Sequence, residues 1–252
     1  MDFVLPPLAA LIAWWFGTGA VMWLDGLPRR SAAVALAVAT VVAVAALVCI
    51  SRTAQHTSVG AAYAGFACAI LVWAWHELAF LTGWLTGPRK RPCSAPAHGP
   101  TRFHEGVQVI LWHELAIIVM AALIAAITLD APNQVATWTF VLLWLMRLSA
   151  KLNLFLGVRN RGEEMLPPHL GYLGSYFRHR TMNPLLPLSL LAGGACAVAL
   201  AAAAVAAGGA ARAGLLLVAS MLVLALIEHL AMVAPMRVEQ LWRWAQREPS
   251  LP

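Results

Sequence analysis

Seven long apolar stretches dominate this sequence and constrain its fold more than any other feature. Each has the roughly 20 residues that an α-helix needs to cross the hydrocarbon core of a membrane. The stretches are residues 3–25, 32–51, 58–85, 104–129, 133–157, 185–208 and 211–235. Charged residues make up only 11% of the chain, against roughly 25% in soluble domains. The sequence therefore predicts an all-α, polytopic membrane protein, a bundle of about seven transmembrane helices.

The positions of the lysines and arginines predict how these helices are oriented. Of the 17, 15 lie in or beside connections on one side of the membrane, and Arg52 and Arg212 lie on the other. The positive-inside rule then places the N-terminus outside and the C-terminus in the cytoplasm. Residues 1–235 form a single seven-helix transmembrane domain, and 236–252 a short cytoplasmic tail with the composition of an interfacial helix. The net charge of +6 comes from basic residues in the short connections, where membrane topology explains them. We therefore expect no nucleic acid partner.

Three His/Glu pairs interrupt the apolar stretches, although charged side chains at membrane depth are costly and usually have a partner or a function. The pentapeptide WHELA occurs in the third and the fourth stretch, and the seventh contains the pair in reverse order. At 1.5 Å per residue, all three pairs lie roughly 10–14 Å below the cytoplasmic face. The sequence thus predicts one polar layer. Its members are His76, Glu77, His113, Glu114, Glu228 and His229.

Further polar residues lie close to this layer. Arg147 and Lys151 in the fifth stretch are at a comparable level, where they can offset part of the carboxylate charge, with Asn153 nearby. His104 and Glu105 begin the fourth stretch, one or two turns nearer the cytoplasm. We expect these two residues to line an entrance to the layer.

The polar layer is compatible with several kinds of chemistry. Imidazole and carboxylate ligands together suit iron, zinc or manganese, so all six residues are candidate metal ligands. Histidine also ligates the central metal of a tetrapyrrole, for which His76, His113 and His229 are the candidates. In a third interpretation the groups only neutralise one another and fix helix packing. Packing alone explains any one pair, whereas three pairs at one depth favour a ligand. The chain contains no GxSxG or phosphate-loop motif, so no catalytic residue is assigned.

Several segments also resemble a known family. They are WHELAFLTG at 75–83, TGPR at 86–89, the second WHELA at 112–116 and NLFLGVRN at 153–160. In combination they resemble the photosynthetic complex assembly protein 2 family, also called PuhE, over roughly residues 1–247.

This resemblance implies a role in the inner (cytoplasmic or intracytoplasmic) membrane of a purple-type phototrophic bacterium. The family is associated with reaction-centre genes, with assembly of the reaction-centre and light-harvesting complexes, and with bacteriochlorophyll supply. The leading hypothesis is a non-catalytic assembly factor that holds a bacteriochlorophyll-type tetrapyrrole at the polar layer. Membrane lipid and reaction-centre or light-harvesting subunits, or other assembly factors, are the expected partners. The alternative is a membrane metal-dependent oxidoreductase acting on a pigment intermediate, and a purely structural scaffold and a transporter also stay open.

Overall fold

The computed structural model describes residues 1–95, 97–234, 240, 242, 244 and 245. In this part of the chain the backbone forms seven α-helices and two 3-10 helices, with a single isolated bridge in place of any sheet. All seven α-helices are long and apolar enough to cross a membrane, which confirms the predicted all-α architecture. They are α1 Leu5–Asp25, α2 Arg29–Thr53, α3 Val59–Leu81, α4 Gly99–Ile127, α5 Val135–Leu156, α6 Leu185–Ala206 and α7 Gly209–Ala231, and the 3-10 helices are Glu163–Met165 and Pro168–Tyr176.

Three helix ends differ by four or more residues from the predicted boundaries, and local backbone explains one of them. α3 ends at Leu81 rather than residue 85, because Gly83 adopts a positive φ of 78° just after the last turn and redirects the chain. α4 begins at Gly99 rather than residue 104, and α7 ends at Ala231 rather than residue 235. The first turns of α4 therefore extend beyond the end of α3.

Helices α3 and α7 form the centre of the bundle. α3 packs against α1, α2, α5 and α7, while α7 packs against α1, α3, α5 and α6. Small buried residues such as Ala62, Gly65 and Ala69 on α3 let neighbouring backbones approach closely. α2 lies at the outside, where Val34, Val38 and Val41 are exposed as expected for a lipid-facing surface.

A cap of non-membrane segments covers the end of the bundle where the basic connections lie. We call it the basic-end cap, and it comprises residues 82–95, the first turns of α4 and the 3-10 helix Pro168–Tyr176. Glu105 forms a salt bridge of 3.1 Å with Arg89, whose Nε donates to the Tyr176 hydroxyl at 2.7 Å. Beneath this network, buried apolar side chains join the cap to α3 and α4. They are Phe80, Val109, Leu170, Leu173 and Tyr176.

Part of the C-terminal segment packs against α1. Trp242 is buried, donates from Nε1 to the Trp15 carbonyl at 3.0 Å, and lies edge-to-face on Trp14. Gly19 makes room for Trp244, since a Cβ there would lie 2.1 Å from the indole ring. Most of the predicted tail at 236–252 lies outside the described residues, so the interfacial helix and the domain boundary at 235 stay predictions.

Candidate functional site

One face of α5 pairs with the carboxylates of both WHELA segments. Arg147 Nη2 lies 2.8 Å from Glu77 Oε2 on α3, and Lys151 Nζ lies 2.6 Å from Glu114 Oε1 on α4. Residues four apart share a face of a helix, so both cations project from the same side of α5. These two ion pairs agree with the expected offset of the carboxylate charge. They also place the α3 and α4 pairs about one turn, about 6 Å, apart along α5.

The opposite face of α5 contacts the third pair. Ser149 Oγ lies 2.9 Å from His229 Nε2 on α7 and 3.0 Å from Ser189 Oγ on α6. One turn further, the buried Asn153 accepts hydrogen bonds from Asn183 at 3.0 and 3.2 Å. Ser149 is two residues from Arg147, which rotates it by about 200° around the helix. α5 therefore contacts all three pairs, and Asn153 ties α5 to the start of α6.

Glu228 does not point towards α5 but towards α1. The Nε1 of Trp14 donates to Glu228 Oε1 at 2.5 Å. Glu228 is exposed at the bundle surface and interacts electrostatically with Arg147, whose side chain is itself 41% exposed. The polar layer therefore reaches the surface of the bundle between α1, α5 and α7.

The three histidines of the layer have two different environments. Each is at most 1% exposed. His229 has a partner at both ring nitrogens, with Nδ1 2.8 Å from the Ala225 carbonyl and Nε2 at Ser149. By contrast, neither ring nitrogen of His76 or of His113 has a hydrogen-bond partner in the described structure. Buried polar atoms without partners are uncommon and costly, so each such case requires an explanation.

Aromatic rings surround the two unpartnered histidines. The ring centroids of His113 and Phe80 are 4.6 Å apart, and those of His76 and Phe140 are 5.8 Å apart. Trp75 lies edge-to-face against His76 at 4.8 Å. Because these neighbours are rings rather than hydrogen-bonding groups, they exclude water from the imidazoles without satisfying them.

The loop after α3 inserts its backbone beside His113. The carbonyl of Thr86 accepts the main-chain N–H of His113 at 2.9 Å. The next residue must be glycine, because a Cβ at Gly87 would lie 2.0 Å from the carbonyl oxygen of Gln108 on α4. The TGPR segment that carried part of the family resemblance thus fixes the loop against α4 at the level of the polar layer.

The six predicted metal ligands are not gathered around one point. Across the described ranges, no group of three or more His, Cys, Asp or Glu side chains is placed to hold a metal ion. Glu77 and Glu114 are engaged by cations, and Glu228 by Trp14 on another side. In the layer, the ring nitrogens of His76 and His113 are left without a hydrogen-bond partner, as are Glu77 Oε1 and Arg147 Nε.

Two predicted supporting residues lie away from the layer. His104 is exposed, and Glu105 holds Arg89 and Ser94 in the basic-end cap rather than lining an entrance. Ser149 is not among the predicted site residues, although its spacing of four from Asn153 forms a polar stripe on an apolar helix. Trp14 and Thr86 are not among them either, because their contacts with the layer depend on tertiary packing and have no local sequence signal.

Seven apolar helices with a polar layer inside them define a helical multi-pass membrane protein. Residues 1–251 match the family described as "protein of unknown function (DUF3623)", and the chain belongs to that family. It is also 36% identical over 247 residues to a Rhodobacter capsulatus protein described as "Uncharacterized 30.4 kDa protein in puhA 5'region", covering 95% of this chain and 89% of that one. No solved structure matches the chain. A relative near puhA in a photosynthetic bacterium, together with the helical bundle, fits a photosynthesis-related membrane protein.

Proposed function

We propose that this protein is an inner-membrane assembly factor for the photosynthetic reaction-centre and light-harvesting complex, of the PuhE type, and that it holds a bacteriochlorophyll-type tetrapyrrole at His76 and His113. The sequence resemblance and the relative encoded near puhA support the process. The chemistry of the polar layer supports the ligand. The protein acts by holding and delivering pigment, not by transforming it.

The observation that carries this proposal is the pair of buried imidazoles without hydrogen-bond partners. A neutral imidazole has one N–H donor and one lone pair, and both are unused in His76 and in His113. An unused, buried lone pair is what an axial ligand of a tetrapyrrole metal provides. A bound tetrapyrrole supplies an open coordination position, which would satisfy a nitrogen that is otherwise costly to bury.

The surrounding residues have separate roles in this proposal. Phe80 and Phe140 provide apolar ring surfaces beside the two histidines. Lys151 and Arg147 neutralise the neighbouring glutamates, so the site presents no uncompensated carboxylate to an apolar pigment. His229, with both nitrogens bonded, positions α7 against α5 and takes no part in ligation.

Access to the site requires movement of α4. Both imidazoles are at most 1% exposed, so a ligand has to separate the helices that bury them. α4 buries a single stripe of residues that includes Val109, His113 and Ile117, while its other faces are exposed. Because α4 contacts the bundle along this one stripe, its separation from α3 exposes His113. We therefore assign pigment entry to the α3–α4 side.

The proposed orientation places the basic-end cap in the cytoplasm, following the lysines and arginines. The cap then faces cytoplasmic parts of the reaction-centre and light-harvesting subunits or other assembly factors. The exposed apolar faces of α2 and α6, with Val38 and Leu191 among their residues, contact lipid or partner helices.

Absorption spectroscopy on purified variants tests the proposal. The protein is purified in mild detergent from a phototrophic host as wild type, as the His76→Leu/His113→Leu double variant and as His229→Leu. The spectrum and the metal content of each sample are measured. We expect a tetrapyrrole band in the wild type, its loss in the double variant and its retention in His229→Leu, because His229 is already hydrogen-bonded.

The same strains give a second readout, the cellular amount of assembled reaction-centre and light-harvesting complexes. Loss of complexes in the double variant, but not in His229→Leu, would show that assembly requires the histidines that bind pigment. A colourless wild type that still supports assembly would refute the ligand and leave the polar layer as packing. The exposed His104→Ala variant controls for the loss of a histidine as such.

A further inference from the structure

A cavity lies at the basic end of the bundle, outside the polar layer. Its volume is about 760 Å³, within the range of roughly 300–1,000 Å³ that is typical of small-molecule sites. It lies where α1 passes into α2 and where α3 ends, and the 3-10 helix Pro168–Tyr176 forms part of its wall. The polar side chains in its wall are Asp25, Arg29, Thr82, Thr86, Lys90, His169 and Tyr172.

The cavity wall contains charges of both signs that do not neutralise one another. Arg29 is the first residue of α2, whose N-terminus has no side-chain cap, so its partial positive charge and free N–H groups add to the cations. Lys90 donates to the Gly83 carbonyl at 3.2 Å. Asp25 has no salt bridge to a described cation, and its Oδ1 is buried without a hydrogen-bond partner. The wall therefore has a place for an anion and a separate place for a cationic hydrogen-bond donor.

Two hydroxyl groups in the wall are also unsatisfied. Thr86 is only 2% exposed, and its Oγ1 lacks a hydrogen-bond partner. The Tyr172 hydroxyl lies beside it, but the two do not complete a hydrogen bond of normal geometry. Burial raises the pKa of the Tyr172 phenol, so this hydroxyl keeps its proton and stays a donor. A buried, unpartnered threonine in the wall of a cavity indicates a bound polar group rather than a solvated surface.

The position of the cavity indicates a lipid. The ends of three spanning helices meet there, which is the level of the membrane–water interface. Trp84 in the wall is 64% exposed, and tryptophan is enriched at the headgroup level. Leu27 and Leu170 add apolar surface next to the polar groups. A ligand with a polar head and an apolar body matches this combination.

We propose that this cavity binds the headgroup of an aminophospholipid of the phosphatidylethanolamine class. The phosphate lies at Arg29, Lys90 and the N-terminus of α2, and the ammonium donates to Asp25. The Thr86 and Tyr172 hydroxyls complete the hydrogen bonds of the phosphate oxygens.

This site does not depend on pigment binding, but it is physically connected to it. The same Thr86 whose side chain lines the cavity accepts the His113 N–H at its carbonyl. A bound headgroup therefore steadies the loop that packs against α4. The lipid preference is expected even if the protein binds no pigment. A failure of the pigment proposal would therefore leave the lipid proposal standing, and the reverse also holds.

Native mass spectrometry of the detergent-purified protein with added short-chain lipids tests the proposal. Dihexanoyl phosphatidylethanolamine is compared with the phosphatidylcholine and phosphatidylglycerol of the same chain length. The methylated ammonium of choline cannot donate to Asp25, and glycerol has no cation. We expect both to bind about tenfold or more weakly. Equal binding of the three lipids would overturn the proposal.

Two variants assign the preference to the cavity. Asp25→Asn is expected to abolish the discrimination between the ethanolamine and choline lipids while leaving phosphate binding. Arg29→Ala is expected to weaken all three lipids, whereas Arg30→Ala, which does not line the cavity, is the matched control. Thermal unfolding of each variant identifies a folding defect. An Asp25→Asn variant that is folded and still discriminates contradicts the proposal.

Free phosphoethanolamine distinguishes a lipid from a soluble headgroup. If it binds as tightly as the dihexanoyl lipid, the apolar part of the cavity contributes nothing, and the lipid assignment is wrong. If it binds only at much higher concentration, the acyl region adds affinity, as a lipid site requires. His113→Leu is expected to leave the lipid preference unchanged in either case.

Discussion

The two WHELA segments and the reversed pair on α7 contain the same residue types in different environments. His229 is hydrogen-bonded at both ring nitrogens, to Ser149 and to Ala225. His76 and His113 are equally buried and bonded at neither. Burial alone would group the three histidines together. Counting the partner of each nitrogen separates a structural histidine from two candidate ligands.

The difference comes from the two faces of α5. On the face with Arg147 and Lys151 the side-chain donors bond to carboxylates, and these donors include the Trp144 indole N–H, which donates to Glu114. The face with Ser149 offers a hydroxyl, which reaches His229. Identical side chains therefore acquire different roles according to which face of one helix they meet.

The largest effect is expected from removing a cation on the WHELA side of α5. Lys151→Met leaves the Glu114 carboxylate, whose side chain is only 15% exposed, without its cation and with the Trp144 indole N–H as its remaining donor. Breaking a buried ion pair by deleting one partner costs about 3 kcal/mol. The free energy of unfolding, measured in detergent micelles titrated with SDS, reports this loss. Lys151→Met/Glu114→Gln should recover most of it, and a double variant as unstable as the single one would show that the pair itself is not responsible.

A smaller loss is expected from Gly87→Ala, which tests how the loop is fixed beside His113. The added Cβ meets the Gln108 carbonyl at 2.0 Å, and this backbone cannot move aside cheaply. Overpacking of this kind costs about 2 kcal/mol. Gly194→Ala on α6, where an added Cβ meets nothing within 4 Å, is the matched control. Equal unfolding free energies for the two variants would mean that the loop does not pack tightly on α4.

Much of the fold was predictable from the sequence. Each spanning helix needs an uninterrupted apolar stretch of about 20 residues, and that requirement can be read locally. The errors lie at helix ends, where the sequence gives weaker signals. α3 stops at Leu81 because of the conformation of Gly83, and the early start of α4 at Gly99 belongs to the cap.

The residues of the polar layer were predictable from the sequence, but the hydrogen-bond partner of each residue was not. Residue counts along α3, α4 and α7 predicted that the three pairs form one polar layer, and the spacing along α5 predicted its two cations. Which histidine finds a hydrogen bond depends on Ser149, a residue on another helix. Similarly, the engagement of Glu228 by Trp14 depends on the packing of α1 against α7. Contacts between distant helices leave no pattern in a single sequence.

A direct test of the comparison replaces each histidine by leucine in the ligand-free protein. His229→Leu leaves Ser149 and the Ala225 carbonyl without their partner, and we expect a loss of about 1–2 kcal/mol. His76→Leu and His113→Leu remove nitrogens that have no partner, so unfolding free energies should stay unchanged or rise. SDS titration of pigment-free samples provides the measurement. A loss of stability in all three variants would show that His76 and His113 have structural roles like that of His229.

The smallest effect is expected from Ser149→Ala. This substitution leaves His229 with one unpartnered ring nitrogen, whereas His76 and His113 have two each. Its Nε2 loses its hydrogen bond while Nδ1 keeps the Ala225 carbonyl, at a cost of about 1 kcal/mol in unfolding free energy. Ser189→Ala on α6 is the control, because it removes a neighbouring hydroxyl without touching the imidazole. If pigment binding needs only a buried imidazole with an unpartnered nitrogen, Ser149→Ala should gain a second, weaker tetrapyrrole site. If the Phe80 and Phe140 rings are also required, the spectrum stays that of the wild type, since no ring contact of this kind is found at His229 in the described structure.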